Sequence, residues 1–233
     1  MKIALTGVTG HLGSAILPEL FSHGYYVNAL VRGSTGISGA GGLQFTRGEL
    51  MDKEALRRLL TGCDALIHCA AVISVNGDPH GEVHRINVDG TKLLLETALE
   101  AGIKRVLHVS SIHAYQQAPA RELLDESRPL ADESAFAYDR SKREGQQIAL
   151  SMNSAEMEVL VVNPTSIIGP YDHKPSKMGK VIIDLCTGKL PFVFNGGFDF
   201  CDCRDVAQAI VNALEQGRGG ENYLLAGKWY HFN

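Results

Sequence analysis

The stretch TGVTGHLG, residues 6–13, follows directly on the apolar run 1–5 and opens an amphipathic run that begins at His11. That order is strand, glycine loop, helix. Gly7, Gly10 and Gly13 remove side chains where the backbone must turn sharply, approach a phosphate closely and let the helix pack on the strand. The helix start behind them offers free N–H groups and the positive end of a dipole, which suits the pyrophosphate of a dinucleotide. A glycine triplet by itself is a weak signal. The strand before it and the helix after it supply the missing context and favour a cofactor loop over a plain turn.

Working outward, apolar runs that read as strands recur at 26–31, 65–68, 105–110 and 159–163, with a shorter one at 43–46. Helical patterns separate most of them: 11–23, then a helix through Leu60 with Asp52 as its N-cap, then about 80–101, then 137–152. This alternation predicts an α/β fold, a Rossmann-type doubly wound parallel sheet with helices on both faces. After Asn163 the character changes. Pro164, Gly169, Pro170, Pro175, Gly179, Gly188, Pro191, Gly196 and Gly197 punctuate short segments, which predicts a small, loop-rich lobe. A helix at 204–215 and a last strand at 223–226 return to the sheet. The expected division is a dinucleotide-binding domain over 1–163, and lobe segments interleaved with the returning helix and strand over 164–233.

Composition narrows the function classes. A formal net charge of −4 argues against a nucleic-acid or anionic-membrane surface, since both need a clustered basic face. No run is long and uncharged enough to span a bilayer, and the N-terminus enters the first strand without a signal-peptide pattern; a cytoplasmic protein is expected. The five cysteines are an odd number scattered through core-like segments, as reduced thiols are. Cys201-Asp202-Cys203 reads as two small residues on one face of a strand rather than as half of a zinc site, and no metal is expected.

In dinucleotide folds a carboxylate at the tip of the second strand takes the ribose 2′-hydroxyl of NAD, and a basic residue there accommodates the 2′-phosphate of NADP. Here the second strand ends Leu30-Val31-Arg32-Gly33. Arg32 offers a guanidinium, and Ser34 or Thr35 a hydroxyl, so NADP is favoured and NAD is the alternative.

Tyr138 and Lys142 stand four residues apart near a helix start, which puts phenol and ammonium on one face. A free tyrosine titrates near ~10, so acid–base work at neutral pH needs about 4 kcal/mol of differential stabilisation of the phenolate. A neighbouring ammonium and a cationic nicotinamide can supply it. Upstream, the strand 105–110 runs into Ser110-Ser111 at the carboxyl edge of the sheet, where such folds place ligands. A serine hydroxyl there can bond a substrate oxygen. His68-Cys69-Ala70-Ala71 ends the fourth run with small residues that let a dinucleotide pass, and Asn87 is placed to order a water chain from the lysine.

TGVTGHLG, HCAA, NVDGT, SSI, YDRSK and NPTSIIGP, in this order and approximate spacing, resemble the extended short-chain dehydrogenase/reductases of the NAD-dependent epimerase/dehydratase family, over essentially the whole chain. Asn163-Pro164-Thr165 and the Arg32 region look like the dihydroflavonol-reductase-like branch. The resemblance implies an oxidoreductase in which Ser111 polarises the substrate oxygen, Tyr138 gives or takes the proton, and Lys142 binds the nicotinamide ribose and lowers the tyrosine pKa, with Asn87 as fourth member. It implies a cofactor held by Thr6, Gly7, Thr9, Gly10, His11, Leu12 and Gly13; by Arg32, Glu49 and Leu50; by Cys69, Ala70 and Ala71; by Tyr138 and Lys142; and by Asn163, Pro164, Thr165 and Ile167. Glu49 stands where the family commonly has aspartate near the adenine. Dehydratases of the family carry an acidic pair after the serine; Ile112-His113 here speaks against dehydration, and His113 is expected in a loop near the substrate. Arg204 and Asp205 are expected to form a structural pair. Family members continue beyond the point that Asn233 marks here, so an incomplete lobe is expected, and their helices often pair two subunits, so a homodimer is a possible assembly.

The reading that follows is an NADP-dependent reductase of a ketone or aldehyde. Its alternatives are a nucleotide-sugar epimerase with tightly bound NAD and, less favoured, an NADP-binding sensor without chemistry. Segments 116–135 and 173–198 are expected to line the substrate pocket.

Overall fold

The computed structural model describes residues 1–37, 41–119, 122–190 and 195–231. Along the chain run β1 (Lys2–Thr6), α1 (His11–Ser22), β2 (Tyr26–Val31), β3 (Leu43–Arg47), α2 (Lys53–Leu60) and β4 (Ala65–His68). Next come α3 (Glu82–His84), a π turn at Arg85–Asp89, α4 (Gly90–Glu100), β5 (Arg105–Val109), α5 (Ala137–Ser151) and β6 (Glu158–Pro164). The chain continues with β7 (Ser166–Ile168), α6 (Lys177–Cys186), β8 (Gly197–Asp202), α7 (Cys203–Gln216), β9 (Asn222–Leu225) and β10 (Lys228–His231).

The main sheet has seven strands in the order β3-β2-β1-β4-β5-β6-β9, all pairs parallel. Strands buried on both faces must be apolar throughout, and in β1 Ile3, Ala4 and Leu5 are all fully buried. They divide between two cores: Ile3 and Leu5 pack with Ile16 and Leu20 of α1 and Val206 and Ile210 of α7, whereas Ala4 packs with Leu56 of α2, Leu94 of α4 and Ala149 of α5. Asp52 caps α2 as expected, its Oδ1 accepting from the backbone N–H of Glu54 and Ala55 at 3.0 and 3.1 Å. Strand order reverses between β1 and β4, so a crevice opens outside their carboxyl ends. Thr6 and His68, opposite one another in register, mark its floor.

Four features depart from the sequence reading. The 80–101 helix is broken by its π turn, which leaves α3 only three residues long. Segment 173–198 contains α6, capped by Ser176 Oγ, which accepts from Gly179 N at 3.0 Å; none of α6 is buried. A second sheet, β10-β8-β7, stands beside the first. Cys203 begins α7 rather than sharing a strand face with Cys201; both are buried and free, and among the described residues no cluster of three metal-ligating side chains occurs. Among the same residues no helix is long and apolar enough to cross a membrane.

Candidate active site

The glycine loop leaves β1 through Thr6, whose side chain is fully buried. Thr6 Oγ1 accepts from Ala70 N (3.3 Å) and donates to His68 Nδ1 (2.7 Å). His68 Nε2 then donates to Thr91 Oγ1 (3.0 Å), and Thr91 donates to the Asn87 carbonyl (2.7 Å). The direction of this chain follows from its ends: the Thr91 proton is taken by a carbonyl that can only accept, so the imidazole must donate from Nε2. One line of hydrogen bonds therefore ties the ends of β1 and β4 to the π turn. Burial and the charge of Lys142 hold His68 neutral, with its pKa lowered to about 3. His108, its ring 5.2 Å away, is lowered in the same direction by burial.

These two imidazoles give acid sensitivity. The unfolded chain takes up protons on them near pH 6.5, and the folded chain does so only at much lower pH, so unfolding is favoured as pH falls through this window. For His68 the loss is expected to be roughly 3 kcal/mol between pH 6.5 and 4. Urea unfolding at a series of pH values measures the slope, and His68→Gln is expected to flatten it by up to about 1.4 kcal/mol per pH unit.

Gly7 adopts φ +80°, and a Cβ there would lie 2.7 Å from Ala70 N. Gly13 is packed harder: its Cβ would lie 2.1 Å from Gly7 O. Gly10 forms the N-cap of α1; no side chain accepts from the first turn and no acid stands in it, so its outward N–H groups are available to a phosphate. His11 Nε2 donates to Pro170 O at 2.9 Å, which ties the loop after β7 to the start of α1. Leu12 packs, partly buried, against the core. A cavity of about 700 Å³ opens beside the tip of β2, with Thr9, Arg32, Ser34 and Thr35 in its wall.

Other residues expected at the cofactor fall into two groups. Glu49 is exposed and Ala70 and Ala71 are accessible at the crevice. Leu50 is buried in the second core against Gly90, which leaves only its backbone to meet a ligand. Cys69 is half-buried, and burial pushes its thiol up to about 12, so it is an inert wall rather than a nucleophile. Asn163 is fully buried; its Nδ2 donates to Ser111 O (3.0 Å) and Gln146 Oε1 (2.6 Å), so it fixes the serine from behind. Pro164 ends β6, Thr165 Oγ1 donates to Asp199 Oδ1 (2.7 Å), and Ile167 lies partly buried on β7.

The groups that the sequence reading expects to react lie at the end of β5. Ser111 lies beside Tyr138 and acts to lower its phenol, yet burial raises the phenol overall to about 12, with Asp139 adding to the rise. Lys142 is buried, its Nζ donating to Val109 O at 3.0 Å, and burial brings its pKa down to about 8. The sequence reading expects the lysine to depress the tyrosine; here burial is the largest influence at both residues and pushes each toward its neutral form, and the charge of Asp139 acts with it at the phenol. The Asn87 amide is engaged with protein groups. Its Oδ1 accepts from Val72 N (2.8 Å), and its Nδ2 donates to Val72 O (2.9 Å) and Ser141 Oγ (3.0 Å), clamping β4's exit to α5.

Sequence reasoning missed a pair here. Asp139, buried within YDRSK, accepts at Oδ1 from His113 Nδ1 at 3.0 Å. His113 N donates to Ser111 Oγ (3.2 Å), and the ring stands edge-on to Tyr138 with 5.6 Å between centroids. An aspartate between the catalytic-type tyrosine and lysine is a polar residue on a packed helix face, and that placement was the available signal.

The model of the NAD dependent epimerase/dehydratase family matches residues 3–226. The chain belongs to that family. It is an NAD(P)-dependent enzyme of the extended short-chain dehydrogenase/reductase type, as its motifs imply. It is 33% identical to sterol demethylase protein B of Methylococcus capsulatus over 98% of this chain and 70% of that protein. It is 33% identical to a putative dihydroflavonol 4-reductase of Synechocystis over 95% of this chain and 66% of the relative. The crystal structure of gox2253 superposes with a TM-score of 0.90 at 30% identity, covering all of this chain and 71% of the other. The chain thus spans about two thirds of the length of these family members.

Proposed function

We propose that this chain is the core of an NADP-dependent reductase acting on a ketone or aldehyde. The observation that carries the reading is the gathering of Ser111, Tyr138 and Lys142 at the mouth of β5: His113 N donates to Ser111 Oγ (3.2 Å), its ring stands 5.6 Å from that of Tyr138, and Lys142 Nζ donates to Val109 O (3.0 Å), while burial favours the protonated phenol. A reductase must begin its cycle with a proton on that oxygen. The cradle fits a dinucleotide. Gly7 and Gly13 leave no room for side chains; the N–H groups of α1 would hold the pyrophosphate, Arg32 with Ser34 and Thr35 the 2′-phosphate, and Pro164 and Thr165 the nicotinamide end.

Bound there, the dinucleotide supplies hydride to the carbonyl carbon. Ser111 Oγ donates to the carbonyl oxygen and draws charge onto it. As that oxygen gains electron density the Tyr138 O–H bond breaks and the new alcohol O–H bond forms. The phenolate left behind is stabilised by Lys142, one helical turn further along α5, in a site with little water to screen the attraction. A proton from solvent restores the phenol. His113, held by Asp139, borders the same space and bears on the substrate.

Arg32 decides the cofactor. The tip of β2 carries no carboxylate, and the guanidinium forms no ion pair among the described residues. A charge-assisted contact contributes about 1.5–3 kcal/mol, so Arg32→Asp is expected to weaken NADP+ binding by roughly ten- to hundredfold and leave NAD+ no weaker. Titration calorimetry of both nucleotides measures this. Wild-type protein that prefers NAD+ would overturn the NADP assignment, and NAD retained through purification would favour an epimerase.

A further inference from the structure

The cavity beside β2 has two walls, and the motifs describe only one. Thr9, Arg32, Ser34 and Thr35 come from the dinucleotide half; Tyr171, His173 and Lys174 come from the loop after β7, far away in sequence. No carboxylate lies among the described residues that line the cavity. Arg32 and Lys174 are both exposed, and neither has a hydrogen bond or ion pair among the described residues. Two uncompensated cations lining one cavity, in a chain whose net charge is −4, make a site for a compact anion.

The loop that brings Lys174 there is pinned on both sides. Pro170 O accepts from His11 Nε2 (2.9 Å) and from Cys203 Sγ (3.2 Å). Tyr171 is left-handed at φ +70°, a conformation that costs a non-glycine residue about 1 kcal/mol or more. The one acid in the loop, Asp172, is turned away: its carboxylate accepts from Ser176 N and Ser176 Oγ, each at 2.9 Å, and packs against Gly179, where a Cβ would lie 2.1 Å from Oδ2. The turn thus removes the negative charge from the cavity and leaves His173 and Lys174 in its wall.

We infer that Lys174 is a second cationic contact for the cofactor's 2′-phosphate, sharing the cavity wall with Arg32, so that the loop after β7 takes part in selecting NADP. The inference rests on the NADP reading above. A phosphate dianion can take the planar fork of Arg32 and the point charge of Lys174 together, whereas a 2′-hydroxyl needs neither.

The test uses 2′,5′-ADP and 5′-AMP, which differ only in the 2′-phosphate, together with NADP+ and NAD+, all by titration calorimetry. Lys174→Ala is expected to weaken 2′,5′-ADP and NADP+ about tenfold, leave 5′-AMP and NAD+ unchanged, and reduce the salt dependence of 2′,5′-ADP binding. Lys174→Arg is expected to restore most of the loss. Because Lys174 is exposed and unpaired, an unchanged melting temperature is expected for both variants. If wild-type protein binds 2′,5′-ADP more tightly than 5′-AMP and Lys174→Ala does not alter that ratio, the inference falls while the NADP reading stands. If wild-type protein does not distinguish the two nucleotides, both fall.

Discussion

Tyr138→Phe is expected to lower the turnover of a carbonyl substrate by roughly two to four orders of magnitude, the range that a positioned proton donor contributes, while NADP+ binding by calorimetry hardly changes. Phenylalanine keeps the ring and its packing at the start of α5. Only the phenolic hydroxyl is lost. The loss should therefore appear in kcat, with little change in KM, because the missing interaction is made as the proton moves rather than when the substrate binds. Single-turnover kinetics under saturating NADPH separates the chemical step from product release. A variant that keeps full kcat would remove Tyr138 from the proton transfer.

Gly13→Ala is expected to damage the fold and the cofactor site together. The added methyl would stand 2.1 Å from Gly7 O, 2.7 Å from Gly7 C and 2.8 Å from Val8 Cα. All three atoms belong to the backbone, so no side chain can turn aside. Either α1 lifts from β1 or the loop opens. Overpacking of this kind costs about 3 kcal/mol or more, equivalent to a fall in melting temperature of roughly 6–12 °C for a chain of this size. Lifting α1 also withdraws its N–H groups from the phosphates, and NADP+ affinity falls with stability. Gly10→Ala is the contrast, since its methyl meets only Gly7 O, at 3.3 Å; its melting temperature should drop much less. Differential scanning calorimetry with and without NADP+ compares the two.

The inner strands of the central sheet were legible because they are buried on both faces, unlike the edge strands β3 and β9. Runs such as Ala65-Leu66-Ile67 have no exposed side and so no polar residue to break the pattern. The second sheet left no such trace. All four residues of β10 are exposed, and β7 and β8 are mostly half-exposed, so neither continuity nor alternation marks them. Helix α6 hid for the same reason, with Gly179 inside it reading as a breaker.

At the site, residue types were legible and their partners were not. Ser111, Tyr138 and Lys142 could be named because strand end and helix spacing fix them. The work of Asn87 depends on a π turn that no spacing rule anticipates, and it clamps Val72 and Ser141. Arg204 pairs with Asp202, at 2.6 Å, and not with Asp205. Asp202 is the N-cap of α7, so its carboxylate meets both the N–H and the guanidinium of Arg204, whereas adjacent residues on a helix point apart. Buried polar residues inside apolar strands, His68 and His108, were the unread sign of a network beneath the site.

The decisive measurement follows hydride from cofactor to product. NADPH deuterated on the transferring carbon is supplied with a panel of ketones and aldehydes, and both the released alcohol and the nucleotide are examined by mass spectrometry. A reductase gives one deuterium on the carbinol carbon for each NADP+ formed, and the transfer is abolished in Tyr138→Phe. Unlabelled product, no net NADP+ and an NAD molecule liberated only when the protein is denatured would contradict the proposed reaction.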